Sequence, residues 1–375
     1  MSRIKVLFIS SWFPNKLEPT NGNFVQRHAE AVSLLNDVEI LHAIGDFNQQ
    51  ENFIFDDRTV NGIRTLTVYY KNTNNPVVNF TRRMLAYKKG FSLMNKPDLV
   101  HANVLHNNMF FAVYLKKKFS IPFVVTEHWT ALRKINENIT SKSVKFTAKI
   151  IGNQASKILP VSKDLEAGLK NIGITTPMKV IPNVVNTKLF SPKETPNSEF
   201  TFIHVSNLIP RKNAEKILRV ALKLLNQGFR FKLKIGGDGN IELLKNLSEN
   251  SSFSDRIEIF PIQPIEKIAE MMKQSDCFIL FSDDENQPCV IAEAFSSGIQ
   301  VISTKVGGIA EFFPKNFGIL LNEPDENLLE EAMKGILKNT EVPAANEFVA
   351  YAEKTFAQQA IAQQFTEVYR EVLQK

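Results

Sequence analysis

The stretch DDENQPCVIAEAFSSGIQVISTKVGG, from Asp283 to Gly308, organises the rest of the chain. It begins with acidic and loop-forming residues and continues into an apolar helical run that stops at Gly298. The short apolar strand QVIST follows at once. Strands and helices that alternate in this way along a chain predict an α/β fold with a doubly wound parallel sheet.

Two carboxylates, Glu285 and Glu293, lie in this stretch with seven residues between them. A helix start presents unpaired backbone N–H groups and the positive end of the helix dipole, so Pro288, Cys289 and Val290 are predicted to bind phosphate. Glu293 lies one turn inside the helix, where a carboxylate is suited to accept hydrogen bonds from the vicinal hydroxyls of a ribose or hexose. An acid beside a phosphate site indicates a sugar nucleotide as ligand.

Length and composition favour a two-domain globular protein. One hydrophobic core seldom supports 375 residues, so two domains of roughly 150 to 200 residues are expected. The hydrophobic content of 43% and the charged content of 22% are those of ordinary soluble proteins. The first apolar run, Val6 to Ile9, is too short for a signal peptide or a membrane span, which predicts a cytoplasmic location.

The net charge of +6 is unevenly distributed along the chain. Between Arg82 and Lys149 there are 13 basic residues and 3 acidic ones, an excess of 10. Apolar and aromatic residues are interleaved with these charges, so the region can contact an anionic membrane surface or attract an acidic acceptor. Solvated helix faces over an ordinary core produce the same pattern. Nucleic acid is not an expected partner.

Strand-like and helix-like segments alternate through the first half of the chain. The strand PFVVTEH ends at His128, and ligands bind beyond the carboxyl ends of such strands, so His128 is a candidate site residue. KVIPNVV, which ends at Val185, is predicted as a further strand. Gly22 precedes an amphipathic helix, where a glycine lets backbone approach a ligand or simply closes a turn.

Apolar content falls in NTKLFSPKETPNS, from Asn186 to Ser198, which is predicted to link two domains. A second βα series follows, and the tail from Phe356 to Leu373 is an amphipathic helix placed to dock back on the first domain. The predicted boundaries are 1–187 for the first domain, 188–355 for the second and 356–375 for the returning helix.

Five segments resemble the retaining GT-B glycosyltransferases of family 4, the glycosyl transferases group 1. They are the glycine loop at Gly22, TEHWT, LPVSKDL with IPNVVNTKLF, VSNLIPRKN, and the opening stretch with GGIAEF. The resemblance covers nearly the whole chain. It implies two Rossmann-like domains that face each other across a cleft, with the donor mainly on the second domain and the acceptor on the first.

The resemblance also implies residue roles. Glu293 matches the carboxylate that binds the nucleotide ribose, Glu285 the one beside the transferred sugar, and Lys212 the lysine that neutralises the diphosphate. The family's Gly-Arg pair is replaced here by Ser206 and Asn207. The implied catalytic residues are Glu285, His128 and Lys212. The implied donor-binding residues are Gly22, Asn23, Ser206, Asn207, Arg211, Lys212, Pro288, Cys289, Val290 and Glu293.

The sequence thus predicts transfer of a sugar from a UDP- or GDP-linked donor to a hydroxyl of a glycan or lipid-linked acceptor, as in cell-surface polysaccharide synthesis. The resemblance implies retention of configuration. No metal or other cofactor is expected, because Asp283 and Asp284 are adjacent and Asp56 and Asp57 are predicted to lie in a loop. A peripheral contact with the inner face of the membrane is part of this prediction.

Other classes are open on the sequence alone. A sugar-nucleotide 2-epimerase shares the two-domain architecture and converts its donor without an acceptor. A non-catalytic sugar-nucleotide-binding protein would bind without turnover. A nicotinamide-dependent oxidoreductase is disfavoured, because neither SSWFPN after the first strand nor IGGDGN in the second half forms the G-x-G-x-x-G turn.

Overall fold

Parallel strands flanked by helices account for both halves of the chain. The computed structural model describes residues 3–338 and 341–374. Two compact units are present. The first comprises Met1–Val184 with Gln358–Lys375, and the second comprises Val185–Ala357.

The first unit is built on a seven-stranded sheet. Its strands are β1 (Lys5–Ser10), β2 (Asp37–Asp46), β3 (Phe53–Val60), β4 (Ile63–Lys71), β5 (Leu99–Asn103), β6 (Phe123–Glu127) and β7 (Lys157–Pro160). The spatial order is β3-β4-β2-β1-β5-β6-β7, and all neighbours are parallel except β3, which is antiparallel to β4. The helices between these strands are α1 (Asn23–Ser33), α2 (Pro76–Phe91), α3 (Phe110–Phe119), α4 (Lys142–Gly152) and, after β7, α5 (Lys163–Asn171).

The second unit is built on a six-stranded, all-parallel sheet. Its strands are β8 (Thr201–Ser206), β9 (Lys232–Gly237), β10 (Ile257–Phe260), β11 (Cys277–Leu280), β12 (Gln300–Thr304) and β13 (Gly318–Leu321). Their order is β10-β9-β8-β11-β12-β13. The helices are α6 (Ala214–Asn226), α7 (Glu242–Glu249), α8 (Ile265–Lys273), α9 (Cys289–Ser296), α10 (Glu326–Lys338) and α11 (Ala345–Phe356).

The last helix, α12 (Gln358–Leu373), packs on the first unit beside α1. The Tyr369 hydroxyl lies 2.6 Å from Nδ1 of His101 on β5, and Asn36 Nδ2 donates to Thr366 Oγ1 at 2.8 Å. Phe365 of α12 is fully buried. These polar and apolar contacts place α12 over one face of the first sheet.

Each sheet is covered on both faces, because successive side chains of a strand point to opposite sides. On β1, Val6 and Phe8 belong to the same apolar cluster as Phe365, whereas Leu7 and Ile9 belong to the cluster that contains Tyr87 of α2. The predicted doubly wound parallel sheet is therefore present, with its central strand β1 buried on both faces. Among the described residues, no helix is both long enough and apolar enough to cross a bilayer.

Two local predictions are wrong. Asp56 and Asp57 lie in β3 and not in a loop. An edge strand with few buried residues can carry charges on its exposed face. Asp57 forms an ion pair with Arg64 of β4 at 2.7 Å. KVIPNVV makes no strand and contributes only a single bridge at Val185. Pro182 interrupts it, since proline has no N–H for a ladder hydrogen bond. Helix α11 was not among the predicted elements.

Buried histidines give the protein a predicted sensitivity to acid. Burial lowers the pKa of His28, His42 and His204 from 6.5 to about 4. Between pH 4 and pH 6.5 the unfolded chain therefore binds more protons than the folded chain does. The free energy of unfolding falls as the pH falls from about 6.5 towards 4. Each histidine contributes roughly 2 kcal/mol to this loss near pH 4.5. Glu127 opposes the loss, because burial raises its pKa from 4.5 to about 7.

We expect the melting temperature to drop between pH 7.5 and pH 5, measured by calorimetry or circular dichroism. The variant His42→Asn keeps a donor for the Ser10 carbonyl oxygen, which lies 3.0 Å from His42 Nδ1, but does not titrate. Its melting temperature should fall less over the same pH range. An identical pH dependence in the variant and the wild type would contradict the assignment of His42.

Candidate functional site

Both sheets have the strand order of a Rossmann fold, which defines where a ligand can bind. In the second unit β8 is flanked by β9 on one side and by β11 on the other, so the direction of winding reverses between β8 and β11. Loops diverge at such a switch point and leave a crevice beyond the carboxyl ends of the strands. The loops that follow β8 and β11 carry the predicted site residues Arg211, Lys212 and Glu285.

Lys212 and Glu285 form a buried ion pair at this switch point. Lys212 Nζ donates to Glu285 Oε1, and the two side chains are 11% and 7% exposed. Lys212 lies in a single 3₁₀ turn, Pro210–Lys212, just before α6. Because a buried charge is costly unless it is paired, the pair fixes both side chains, while the remaining N–H groups of the lysine can serve a phosphate oxygen.

Backbone and amide contacts bind the two loops to each other. The Asp283 N–H donates to the Arg211 carbonyl oxygen at 2.8 Å. Arg211 Nη1 donates to the carbonyl oxygen of Asp284. That same Nη1 is 3.9 Å from Glu285 Oε2. Asn213 Nδ2 donates to the Phe281 carbonyl oxygen at 3.0 Å and to Asp283 Oδ1 at 2.6 Å. The structure thus brings Arg211, Lys212 and Glu285 together.

Helix α9 starts beside this cluster. Pro288 is its N-cap residue and makes no side-chain cap, so the first-turn N–H groups of Cys289 and Val290 point out of the helix start. Glu293 is buried at 3% exposure on the second turn. The loop after β12 supports the same region: Gly308 N donates to the Asn286 carbonyl oxygen at 2.9 Å.

Ser206 and Asn207, which replace the Gly-Arg pair, lie at the end of β8 and just after it. Ser206 Oγ is 2.9 Å from Nε2 of buried His204 and accepts from Leu208 N at 3.2 Å. Asn207 is exposed. Neither side chain supplies a positive charge, so Arg211 and Lys212 are the cations that the described loops place beside the start of α9.

The first unit has its own switch point, between β1 and β5. Its loop after β1 ends at Gly22, the N-cap residue of α1, where φ is +77°. A Cβ at this position would lie 2.3 Å from the Trp12 carbonyl oxygen. Gly22 is therefore required by the close approach of the Trp12 backbone as well as by its left-handed conformation. Asn23 is exposed in the first turn of α1.

His128 lies at the carboxyl end of β6 and joins an aromatic cluster at this edge. Its ring is 4.3 Å from that of Phe24 and 5.2 Å from that of His28, between ring centroids. Phe24 follows Gly22 by two residues, so the structure brings the Gly22 loop and His128 together. Burial holds the pKa of His128 well below its usual range, with Asn183 as a hydrogen-bond partner. His128 is thus neutral near pH 7 and suited to hydrogen bonding with a sugar hydroxyl.

Glu127 is a functional candidate that reasoning from the sequence missed. It is fully buried, and its Oε1 accepts from His128 N at 2.8 Å and from Trp129 N at 2.7 Å. Its Oε2 accepts from Leu105 N at 2.6 Å, which joins the loops after β5 and β6. The sequence did contain a signal for Glu127, namely a carboxylate directly at the end of an apolar strand. Asn213, with φ of +53°, plays a comparable part in the second unit.

The described residues contain no group of three or more His, Cys, Asp or Glu side chains that could hold a metal ion. The second unit combines a lysine, an arginine, a helix start and a buried carboxylate. This combination suits a nucleoside diphosphate. The first unit offers a neutral imidazole among aromatic rings, which suits an uncharged polyhydroxyl ligand.

Two family models match the chain and together extend from residue 29 to residue 355. The model described as Glycosyltransferase Family 4 matches residues 29–189, and the one described as Glycosyl transferases group 1 matches residues 185–355. A phosphatidylinositol N-acetylglucosaminyltransferase subunit of Arabidopsis thaliana is 28% identical over 203 residues, 53% of this chain and 45% of that protein. The chain thus spans less than half the length of that relative.

Solved structures share the fold. A sucrose-phosphate synthase of Thermosynechococcus elongatus superposes with a TM-score of 0.77 and 18% identity over 99% of each chain. The Anabaena protein HepE, in complex with UDP and glucose, gives a TM-score of 0.74 and 18% identity over 98% of this chain and 99% of that one. The predicted GT-B fold, with two Rossmann-like domains, is confirmed.

Proposed function

We propose, since the chain belongs to the group 1 glycosyltransferases of family 4, that it transfers a sugar from a nucleotide diphosphate sugar to a hydroxyl of an acceptor. The observation that carries the proposal is the buried Lys212–Glu285 pair beside the start of α9. Lys212 supplies a fixed cation and the start of α9 supplies N–H groups at the switch point of the second sheet, where the diphosphate of a donor is expected to lie.

The proposed chemistry requires stabilisation of the leaving group. As the bond between the sugar and the diphosphate breaks, negative charge develops on the phosphate oxygens. Lys212, Arg211 and the first-turn N–H groups of α9 are positioned before the reaction to stabilise that charge. We propose on this basis that transfer is independent of a metal ion. From the family resemblance we propose that it proceeds with retention through an oxocarbenium-like transition state, with the leaving phosphate as the base.

The two carboxylates take different parts in this proposal. Glu293, buried on the second turn of α9, accepts hydrogen bonds from the ribose hydroxyls of the donor. Glu285, held by Lys212, lies beside the transferred sugar and contributes to the choice of that sugar. His128 of the first unit is a neutral hydrogen-bonding group suited to a sugar hydroxyl.

The class of donor and acceptor is proposed from the comparisons. HepE in complex with UDP and glucose supports a UDP-linked donor, with GDP as the alternative. The Arabidopsis relative is named for transfer to phosphatidylinositol, which supports a lipid-linked acceptor or a glycan assembled on a lipid. We propose a role in cell-surface polysaccharide synthesis, on the cytoplasmic face of the membrane.

A screen of nucleotide sugars tests this function. A donor present at about 100 times its dissociation constant stabilises the fold by roughly 2.7 kcal/mol and raises the melting temperature. The stabilising donor is then incubated with candidate lipid-linked acceptors. A glycosylated product supports the proposal. Conversion of the sugar with donor alone would identify a 2-epimerase, and binding without any turnover would identify a binding protein.

Glu293→Gln is expected to raise the KM for the donor by about tenfold or more and to change kcat less. Hydrogen bonds to a charged group contribute about 1.5 to 3 kcal/mol, and bonds to the ribose are made equally before and during transfer. Steady-state kinetics with varied donor measure both constants. The control Glu323→Gln alters an exposed carboxylate of the same unit. A KM unchanged in Glu293→Gln would remove Glu293 from the ribose site.

A further inference from the structure

Residues 134–150 of the first unit, here called the 134–150 surface, expose large apolar side chains. The segment comprises the end of the loop after β6 and most of α4. Ile135 is 71% exposed, Ile139 83%, Phe146 65% and Ile150 38%. Folded proteins seldom leave several such side chains exposed together unless they contact a partner or a membrane.

Helix α4 has two distinct faces. Its buried face is formed by Ala148, Ile151 and Gly152. On the opposite side, the exposed residues recur at the helical spacing of one face. They are Lys142, Ser143, Phe146, Lys149 and Ile150. An apolar stripe bordered by lysines is typical of a helix that lies in a membrane interface.

The preceding loop is attached to this helix. Lys145 Nζ donates to the carbonyl oxygen of Glu137 at 3.1 Å, and Ser141 caps α4 by accepting from Val144 N at 3.3 Å. These contacts hold the loop that carries Ile135 and Ile139 against the start of α4. The four apolar side chains therefore belong to one continuous segment.

The charge of the 134–150 surface is positive. It contains four lysines, Lys134, Lys142, Lys145 and Lys149, and one acidic residue, Glu137. The neighbouring Arg133 is buried in an ion pair with Asp164 and does not add to the exposed charge. A bilayer with acidic lipids has an anionic surface and an apolar interior. Lysines that surround exposed apolar side chains complement such a bilayer.

Three of the eight basic residues from Arg82 to Lys118 form hydrogen bonds inside the unit. Arg82 Nη1 donates to the Lys71 carbonyl oxygen at 2.6 Å, and Arg83 Nε donates to the Tyr70 hydroxyl at 2.8 Å. Lys116 Nζ donates to the Gln154 carbonyl oxygen at 2.6 Å. Lys88, Lys89, Lys96, Lys117 and Lys118 are exposed on other elements. The 134–150 surface is therefore distinguished by its four large exposed apolar side chains together with its lysines.

We propose that the 134–150 surface binds the anionic lipid surface of a membrane. Ile135, Ile139 and Phe146 insert among the headgroups, and the lysines contact lipid phosphates. The surface begins six residues after His128, so this binding places the carboxyl end of β6 close to the bilayer. The inference rests on the proposed function in one respect. If the protein transfers sugar, membrane binding implies that its acceptor is lipid-linked and lies at the membrane surface.

Vesicle co-sedimentation, without donor or acceptor, tests the proposal. The wild type should bind vesicles of phosphatidylcholine mixed with phosphatidylglycerol more tightly than vesicles of phosphatidylcholine alone, and high salt should weaken this binding. The variant Ile139→Ser with Phe146→Ser should lose at least about tenfold in affinity, because two apolar side chains no longer insert. Lys142→Gln with Lys149→Gln should lose roughly fivefold for each lysine, on anionic vesicles only.

Phe47→Ser is the matched control. Phe47 is 64% exposed, nearly the same as Phe146, but lies after β2, outside the 134–150 surface. Its replacement should leave vesicle binding unchanged. Equal loss in Phe47→Ser and in the double serine variant would overturn the proposal. Undiminished vesicle binding by the double serine variant would also overturn the proposal. The proposal would likewise fail if the protein self-associates through this surface and does not bind vesicles.

The test separates this inference from the proposed function. A protein that binds anionic vesicles but transfers no sugar from any nucleotide donor would contradict the proposed function alone. A protein that glycosylates a water-soluble acceptor but binds no vesicles would contradict the membrane inference alone. Melting temperatures equal to that of the wild type establish that the surface variants are folded.

Discussion

Lys212→Ala is expected to lower kcat for sugar transfer by roughly 10²- to 10³-fold, the usual effect of removing one preorganised group that stabilises developing charge. The side chain of Lys212 is 11% exposed and held by Glu285, so its ammonium group is fixed before the reaction. Water that replaces it cannot supply the same charge to the departing diphosphate. Initial-rate measurements with saturating donor and acceptor give the effect on kcat.

The same substitution also removes the partner of a buried carboxylate. Glu285 would then have Arg211 as its cation, at 3.9 Å, and breaking a buried pair costs about 3 to 5 kcal/mol of stability. The double variant Lys212→Ala with Glu285→Gln should recover part of the melting temperature but not the rate. The exposed Lys315→Ala serves as a control for loss of a positive charge in this unit. Recovery of the rate together with the stability would show that Lys212 is only structural.

Gly22→Ala is expected to destabilise the first unit by at least about 2 kcal/mol and to lower transfer by more than tenfold. A non-glycine residue in the left-handed conformation costs about 1 to 2 kcal/mol, and the added Cβ would lie 2.3 Å from the Trp12 carbonyl oxygen. The backbone must therefore move. Because Phe24 contacts His128, that movement displaces the edge of the site. Thermal unfolding and initial rates measure the two effects.

Gly62 supplies the matched control for Gly22. Its φ of +80° is nearly the same, but a Cβ at Gly62 would meet no atom within 4 Å. Gly62→Ala therefore carries the conformational cost without the steric overlap. Gly22→Ala should be clearly the more destabilising of the two. Equal losses of stability would mean that the loop after β1 accommodates a side chain and that Gly22 is not required by Trp12.

The fold could be predicted from the sequence wherever strands are buried on both faces. Short apolar runs bounded by polar turn residues, such as QVIST at β12, predict strands of this kind. Strand β3 could not be found in this way, since its charged residues Asp56 and Asp57 lie on an exposed edge strand. Pro182 lies within KVIPNVV, so the interruption of that segment was visible in the sequence.

The candidate site illustrates what the sequence leaves out. The resemblance implied a role for Lys212, and the stretch from Asp283 to Gly308 indicated Glu285 and Glu293, but the sequence did not indicate that Lys212 and Glu285 pair with each other. That contact depends on β8 and β11 being neighbours in the sheet. The role of Glu127 depends likewise on the loop after β5, whose Leu105 N–H reaches its carboxylate.

The loops after β8 and β11 are proposed to bind the diphosphate of the donor. Hydrogen–deuterium exchange with and without a nucleoside diphosphate tests this, because bound phosphate protects the amides that it contacts. We expect slower exchange at residues 207–213 and at the start of α9, from Cys289 to Glu293, and little change at β13. Protection confined to other loops, with exchange at the start of α9 unaltered, would contradict it.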